Sequence, residues 1–191
     1  SQLRRLARLD EAVFSEVQAD ASQTLSAGLV VFGAIVAAAI GGGLWLIVEG
    51  DGLRSGNIVL REFFLGAIAM AALWGVWLIV VRLLLVRAFG RSAEAGSLFR
   101  PMAFATVPLA GQVLMFVPPI AFGVGVVTLM AWFALSVAAT EAAVPGATRK
   151  EIVVANGMGF SILAIGLSIL ADAAAIAPGI FARGADLSHL V

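Results

Sequence analysis

Five long apolar runs, separated by short polar segments, dominate the chain. Four of them reach the roughly 20 residues that about 30 Å of hydrocarbon requires, and the third, which contains Pro108, is the shortest. An α-helix satisfies its own backbone polar groups, so it is the form expected for such runs in lipid. We therefore predict an all-α integral membrane protein, a bundle of five transmembrane helices at residues 24–48, 63–85, 101–117, 120–139 and 152–177.

The first 21 residues follow a different pattern, in which apolar and charged positions are interleaved. Apolar residues at helical spacing, with Arg4, Arg5 and Arg8 between them, predict an amphipathic N-terminal helix over residues 1–21. It would lie at the membrane interface or in a groove of the bundle, with its arginines near anionic headgroups. A solvated helix leading into the first span is the alternative. No cleaved signal peptide is expected from this pattern. The apolar positions are Leu3, Leu6, Val13, Phe14 and Val17.

The third and fourth runs are joined by Pro118 and Pro119 without any charged residue. Because proline breaks a helix, we predict a tight hairpin whose turn stays near the membrane. Pro108, which removes one helical hydrogen bond, is a candidate residue of the hairpin together with Pro118 and Pro119. The hairpin either crosses the membrane fully or re-enters from one side. The membrane domain is predicted over residues 22–178, with a short tail at 179–191.

Composition narrows the classes of function. Of the 191 residues, 61% are hydrophobic and 13% charged, against about 45–50% and about 25% in soluble domains. Twelve basic residues balance twelve acidic ones without a basic block, so nucleic-acid binding is not expected. Cysteine is absent, which excludes disulfides and thiolate metal sites. The expected partners are membrane lipids and either another membrane protein or further copies of this chain.

The distribution of arginine and lysine predicts the orientation. Positively charged loops resist translocation, and an inside N-terminus leaves only Arg54, Arg61 and Arg183 outside. We therefore predict an N-terminus in the cytoplasm and a C-terminus outside. The basic residues on the inner side are then Arg4, Arg5, Arg8, Arg82, Arg87, Arg91, Arg100, Arg149 and Lys150.

Three ionisable residues fall inside or near the ends of the predicted spans. Because a charge at the bilayer centre is costly, each is a candidate functional residue. Arg82, near the end of the second span, either snorkels to headgroups or pairs with Glu141 at similar depth. Asp172, near the outer end of the fifth span, is either solvated at the interface or functional.

Two neutral polar residues and several glycines complete the candidates. Gln112 is the most central polar side chain, and with Pro108 it either lines an internal polar site or joins two helices. Asn156 lies early in the fifth span. We expect the glycines to let helices approach closely, and Trp74 and Trp77 to pack against neighbours. Trp45 is expected at an interface. The glycines are Gly41, Gly42, Gly43, Gly123, Gly125, Gly157 and Gly159.

Groups typical of catalysis are missing from the spans. The one histidine is His189, near the end of the sequence, so no paired ligands for haem or zinc and no Ser-His dyad can be assembled in the bundle. Neither a phosphate-binding glycine loop with its lysine nor a dinucleotide fingerprint occurs. We expect no catalytic residues, no cofactor and no metal, and hence no enzymatic activity.

Two segments resemble the Yip-domain family of small five-span membrane proteins, particularly its bacterial members. They are FSEVQAD at residues 14–20, before a Gly/Ala-rich first span, and LFRPMAFATVP at residues 98–108. The resemblance covers about residues 8 to 176 and implies a five-span fold in a bacterial cytoplasmic (inner) membrane. Eukaryotic members are associated with Rab-class GTPases and carry an Asp-Leu-Tyr-Gly-Pro motif. This chain has no tyrosine, so that partnership is not expected.

Our first functional hypothesis is a non-enzymatic membrane scaffold or accessory subunit that associates laterally with membrane proteins or lipid. Small-residue helix faces and the missing catalytic groups favour it. The alternative is a small transporter or channel that uses Pro108 and Gln112, with Arg82 and Glu141 as a gate pair. A third, weaker hypothesis is a membrane-shaping protein that acts through its N-terminal helix and hairpin.

Overall fold

The computed structural model describes residues 14, 22–49, 63–174, 176 and 178–181, and every regular element among them is a helix. Five segments of this part are long and apolar enough to cross a membrane, as the sequence predicts. The amphipathic helix predicted for residues 1–21 lies outside the described residues, except for Phe14, which is helical and fully buried. The five helical segments are α1 (Gln23–Glu49), α2 (Phe63–Ala88), a third span (Ala95–Phe116), α4 (Pro118–Ala143) and α5 (Arg149–Ala174).

The third span is broken into two helices of different type. Its first half, α3 (Ala95–Phe104), begins before Pro101, where the sequence places the start of the span. It does so because Leu98 and Met102, one turn apart, both turn into the core. After a turn, the 3-10 helix Val107–Phe116 continues the span with Pro108 in its first turn, where a missing N–H costs little.

The predicted hairpin turn is a single residue, Val117. Its φ of −94° and ψ of 99° are extended, as expected for a residue before proline. Pro118 and Pro119 then form the first turn of α4 rather than a loop, so α4 begins two residues before the predicted span and ends at Ala143, beyond residue 139. α5 likewise begins at Arg149 and ends at Ala174, against a predicted range of 152–177.

The helices do not pack only against their neighbours in sequence. α1 lies along the third span, in particular along its 3-10 half, and α5 packs chiefly against α2. α4 and α5, although consecutive, contact each other less extensively than α5 contacts α2, and the hydrogen bond between Asn156 and Thr140 joins them. Their separation leaves an open groove on the side of the bundle, described below.

Buried aromatic residues form the centre of the bundle. Trp77 of α2 meets Trp132 of α4 at a centroid distance of 5.0 Å and Phe160 of α5 at 5.3 Å, both edge to face. Such arrangements are favoured because the positive ring edge meets the negative ring face. Packing of Trp74 and Trp77 inside the bundle is therefore confirmed. Trp45, expected at an interface, is buried in a second cluster with Met115 and Ala121.

Candidate functional site

Asn156 joins α4 to α5 through a buried hydrogen bond. Its Nδ2 donates to Thr140 Oγ1 over 3.0 Å and to the Ile152 carbonyl over 3.1 Å. Thr140 Oγ1 in turn donates to the Ser136 carbonyl over 2.8 Å. Asn156, Thr140 and Ser136 are all fully buried. In an apolar environment such a bond holds two helices in one register, and this supports a joining role for Asn156.

Two polar atoms of this cluster have no hydrogen-bond partner within the described residues, Asn156 Oδ1 and Ser136 Oγ. The indole nitrogens of Trp77 and Trp132, on the same side of the interior, are likewise unpartnered there. Buried polar atoms of this kind carry a desolvation cost. None of Asn156, Ser136, Trp77 and Trp132 is among the residues that line the described cavities.

Gln112 is 1% exposed, and both polar atoms of its amide lack a partner within the described part of the chain. Two glycines enclose it. A Cβ on Gly41 of α1 would lie 2.8 Å from Val113 Cα and would overlap the Gln112 carbonyl, and one on Gly179 would overlap Gln112 Oε1. Gly179, with φ of 61°, has a conformation that favours glycine in any case. Because of these close contacts, Gln112 is packed between α1 and the segment that contains Gly179 and does not line an open cavity among the described residues.

Arg82 and Glu141, hypothesised as a gate pair, are not bonded to each other in this structure. Arg82 Nε donates to the Ala93 carbonyl over 3.2 Å and so holds the segment between α2 and α3, while Glu141 is exposed and makes no bond to it. Asp172 is also exposed, near the end of α5. Of the five polar candidates, therefore, only Gln112 and Asn156 are inside the bundle. They are at different contacts, because Gln112 of the third span packs against α1 whereas Asn156 joins α4 to α5.

An ion pair that was not predicted from the sequence joins the segment between α2 and α3 to the first turn of α5. Arg91, between α2 and α3, contacts both carboxylate oxygens of Glu151, Nε to Oε2 at 3.0 Å and Nη2 to Oε1 at 2.9 Å. Glu151 also accepts from the Thr148 backbone N–H over 2.8 Å. The hydrogen bond to Glu151 raises the pKa of Arg91. The Thr148-x-x-Glu151 spacing before an apolar run is a capping-box signature and was visible in the sequence.

Three apolar grooves on the lateral surface are lined by described residues. The largest, about 610 Å³, lies between α4 and α5 and is called the α4–α5 groove; its lining includes Met130, Phe133, Gly157, Phe160 and Ser161. The second, about 400 Å³, lies between α1 and α2 and includes Gly28, Phe32, Trp74 and Phe99. The third, about 280 Å³, is called the Arg82 groove; it lies between α2 and α3 and includes Gly75, Leu78, Ile79, Arg82, Leu98 and Phe99.

Within the described residues no group of three histidine, cysteine, aspartate or glutamate side chains is placed to hold a metal ion. Apart from the ion pair of Arg91 and Glu151, the described side chains that the fold brings together are apolar, hydroxyl and amide groups. Their arrangement suits packing and helix registration.

No family model, curated protein or solved structure matches the chain. The resemblance to the Yip-domain family therefore stays a prediction.

Proposed function

We propose that the chain is a non-enzymatic scaffold or accessory subunit embedded in a membrane, with the N-terminus in the cytoplasm, and that it associates laterally with another membrane protein. Large apolar side chains project outward from its helices and favour lipid surroundings. Phe32 of α1 is 68% exposed and Ile68 of α2 is 64% exposed. Val127 and Met130 of α4 and Ile165 of α5 are exposed to a similar degree. In water these side chains would form an unusually large apolar surface.

The α4–α5 groove is the observation that carries the proposal. Its lining is apolar apart from the hydroxyl of Ser161, and that hydroxyl donates back to the Gly157 carbonyl of its own helix over 2.8 Å. The groove is open because α5 packs more extensively against α2 than against α4. Two of its lining residues, Phe133 and Phe160, pack against each other with their ring centroids 5.3 Å apart, which restricts the motion of both side chains.

A transmembrane helix suits this groove because of the two small residues on its α5 wall. Nothing lies within 4 Å of the position that a Gly157 Cβ would occupy, and Ser161 follows one turn later. Small residues spaced in this way let a second backbone approach closely, which is a main source of helix association in lipid. The partner is then a helix of another membrane protein, and a second copy of this chain is the other occupant that the test resolves.

Photo-crosslinking in native membranes tests the proposal. A photoreactive residue at Met130, which lines the groove and is 68% exposed, should give a discrete protein adduct. Gly157→Leu should abolish that adduct because it fills the groove. Gly75→Leu is the matched control, since Gly75 is equally open but lies in the Arg82 groove. Only lipid adducts from Met130, or equal adducts in both variants, would contradict lateral association through this groove.

A transport function is the second candidate, and the broken third span favours it. Transporters often place an interrupted helix at the substrate site. Here the 3-10 half of the span carries Gln112, whose amide has no hydrogen-bond partner among the described residues. Liposomes containing the purified protein should then show solute flux that Gln112→Leu removes. Unchanged flux in that variant, or no flux under any gradient, would count against transport.

A further inference from the structure

We propose that the Arg82 groove binds one anionic phospholipid, with the lipid phosphate on the Arg82 guanidinium and an acyl chain lying along the apolar wall toward Gly75. The groove is lined by side chains of α2 and α3 and carries a cation at one end. A phospholipid has the matching arrangement, with a charged phosphate at one end and an apolar acyl chain at the other. The proposal stands independently of any protein partner in the α4–α5 groove.

Arg82 has donors available for a phosphate. Its Nε donates to the Ala93 carbonyl, which fixes the direction of the side chain. Within the described residues no acceptor binds its Nη1 and Nη2 groups, and the side chain is exposed. A planar guanidinium offers paired N–H groups that match two phosphate oxygens. The bond to Ala93 therefore orients Arg82 without using the groups that would hold the phosphate.

The end of the bundle around Arg82 carries an excess of positive charge. Arg91 does not contribute to this excess, because Glu151 neutralises it. The described residues of this end include six basic side chains against three acidic ones. An anionic headgroup is favoured over a zwitterionic one by this charge. The basic residues are Arg82, Arg87, Arg91, Arg100, Arg149 and Lys150, and the acidic ones are Glu94, Glu141 and Glu151.

The apolar part of the groove has room for the first part of an acyl chain. Gly75 and Arg82 are two turns apart on α2, about 10 Å along the helix axis. Nothing lies within 4 Å of the position that a Gly75 Cβ would occupy, so the groove remains open there. Leu78 and Ile79 supply the wall between these two residues. Phe99 lines both this groove and the neighbouring one between α1 and α2. The second acyl chain of the lipid would lie in that neighbouring groove.

Native mass spectrometry of the full chain, titrated with phosphatidylglycerol or phosphatidylcholine of identical acyl chains, tests the site. The wild type should retain one phosphatidylglycerol in preference to phosphatidylcholine. Arg82→Gln should weaken that binding about tenfold, as expected for the loss of charge-assisted hydrogen bonds. Arg87→Gln, which removes an exposed arginine outside the groove lining, should change it much less.

A second pair of variants tests the acyl-chain half without touching Arg82. Gly75→Leu should weaken phosphatidylglycerol binding because it fills the groove, whereas Gly123→Leu, at an equally open glycine on α4, should leave it unchanged. Circular dichroism and thermal melting identify any variant that has lost its fold. Equal retention of the two lipids by the wild type would overturn the proposal. Equal losses in Arg82→Gln and Arg87→Gln would also overturn it, because they would indicate diffuse charge attraction.

Discussion

Two glycines on α5, two residues apart, are expected to respond in opposite ways to the same substitution. Gly159 is buried against Trp77, and a Cβ there would lie 2.9 Å from Trp77 Nε1 and closer still to Cδ1. Trp77 cannot move away easily, because Trp132 and Phe160 hold it edge to face. Gly157 faces the open α4–α5 groove, where an added Cβ meets nothing within 4 Å.

The magnitude follows from two opposing effects. Replacing glycine by alanine inside a helix favours folding by about 1 kcal/mol, and this gain is common to both positions. Forcing a methyl group into a packed core costs about 1–3 kcal/mol, and this applies only at Gly159. Gly157→Ala should therefore stabilise the protein slightly. Gly159→Ala should be less stable than Gly157→Ala by about 1–3 kcal/mol, since the helix term cancels between the variants.

The assay is reversible unfolding in mixed micelles, followed by far-UV circular dichroism so that changes at tryptophan do not bias the signal. A Trp77→Phe background provides the control, because the smaller ring relieves the contact. The cost of Gly159→Ala should shrink there, which is a coupling that a double-mutant cycle measures. Equal stability of the two alanine variants, or an undiminished cost in the Trp77→Phe background, would refute the packing of α5 on α2 described above.

Three further predictions concern polar groups. Thr140→Val and Asn156→Leu should each destabilise the protein, with a coupling of about 0.6 kcal/mol in a double-mutant cycle, typical of hydrogen bonds between membrane helices; zero coupling would mean that the bond does not form. Arg91→Gln should lower the thermal midpoint at low salt and have little effect at high salt, because Glu151 lies at an accessible end; a salt-independent loss would contradict an ion-pair role. Gln112→Leu should stabilise the protein by about 1 kcal/mol, because the buried amide has no partner among the described residues; a large loss of stability would show that the amide is hydrogen-bonded.

The five membrane-length segments of the described part could be predicted from the sequence, but the start of the third span could not. Apolar length alone identifies runs such as the one around Trp77, because lipid permits few alternatives to a helix. Around Arg100 the polar residues Glu94 and Ser97 suggest a loop. The helix nevertheless begins at Ala95, since burial of Leu98 on one face outweighs the polar residues on the others. Counting apolar residues along the chain does not detect the first turn of such a helix, because that turn is apolar on one face and polar on the other.

The roles of individual polar residues depended on helix register, which a single sequence does not reveal. The bond between Asn156 and Thr140 requires α4 and α5 to meet at one particular height. Similarly, Arg91 and Glu151 are 60 residues apart, and nothing local pairs them. Gly157 and Gly159 occupy the same sequence context, yet one lines a groove and the other contacts Trp77. Sequence identified these residues as candidates, and the packing of α5 on α2 decided their roles.

The proposed function requires a second membrane protein bound to the side of this bundle. Native mass spectrometry of the naturally expressed chain, extracted with its surrounding lipid into copolymer discs without detergent, can detect that partner. A stoichiometric complex with a second membrane protein, lost in the Gly157→Leu variant, is the predicted result. A chain found only as a monomer, in wild type and variant alike, would contradict the proposed function.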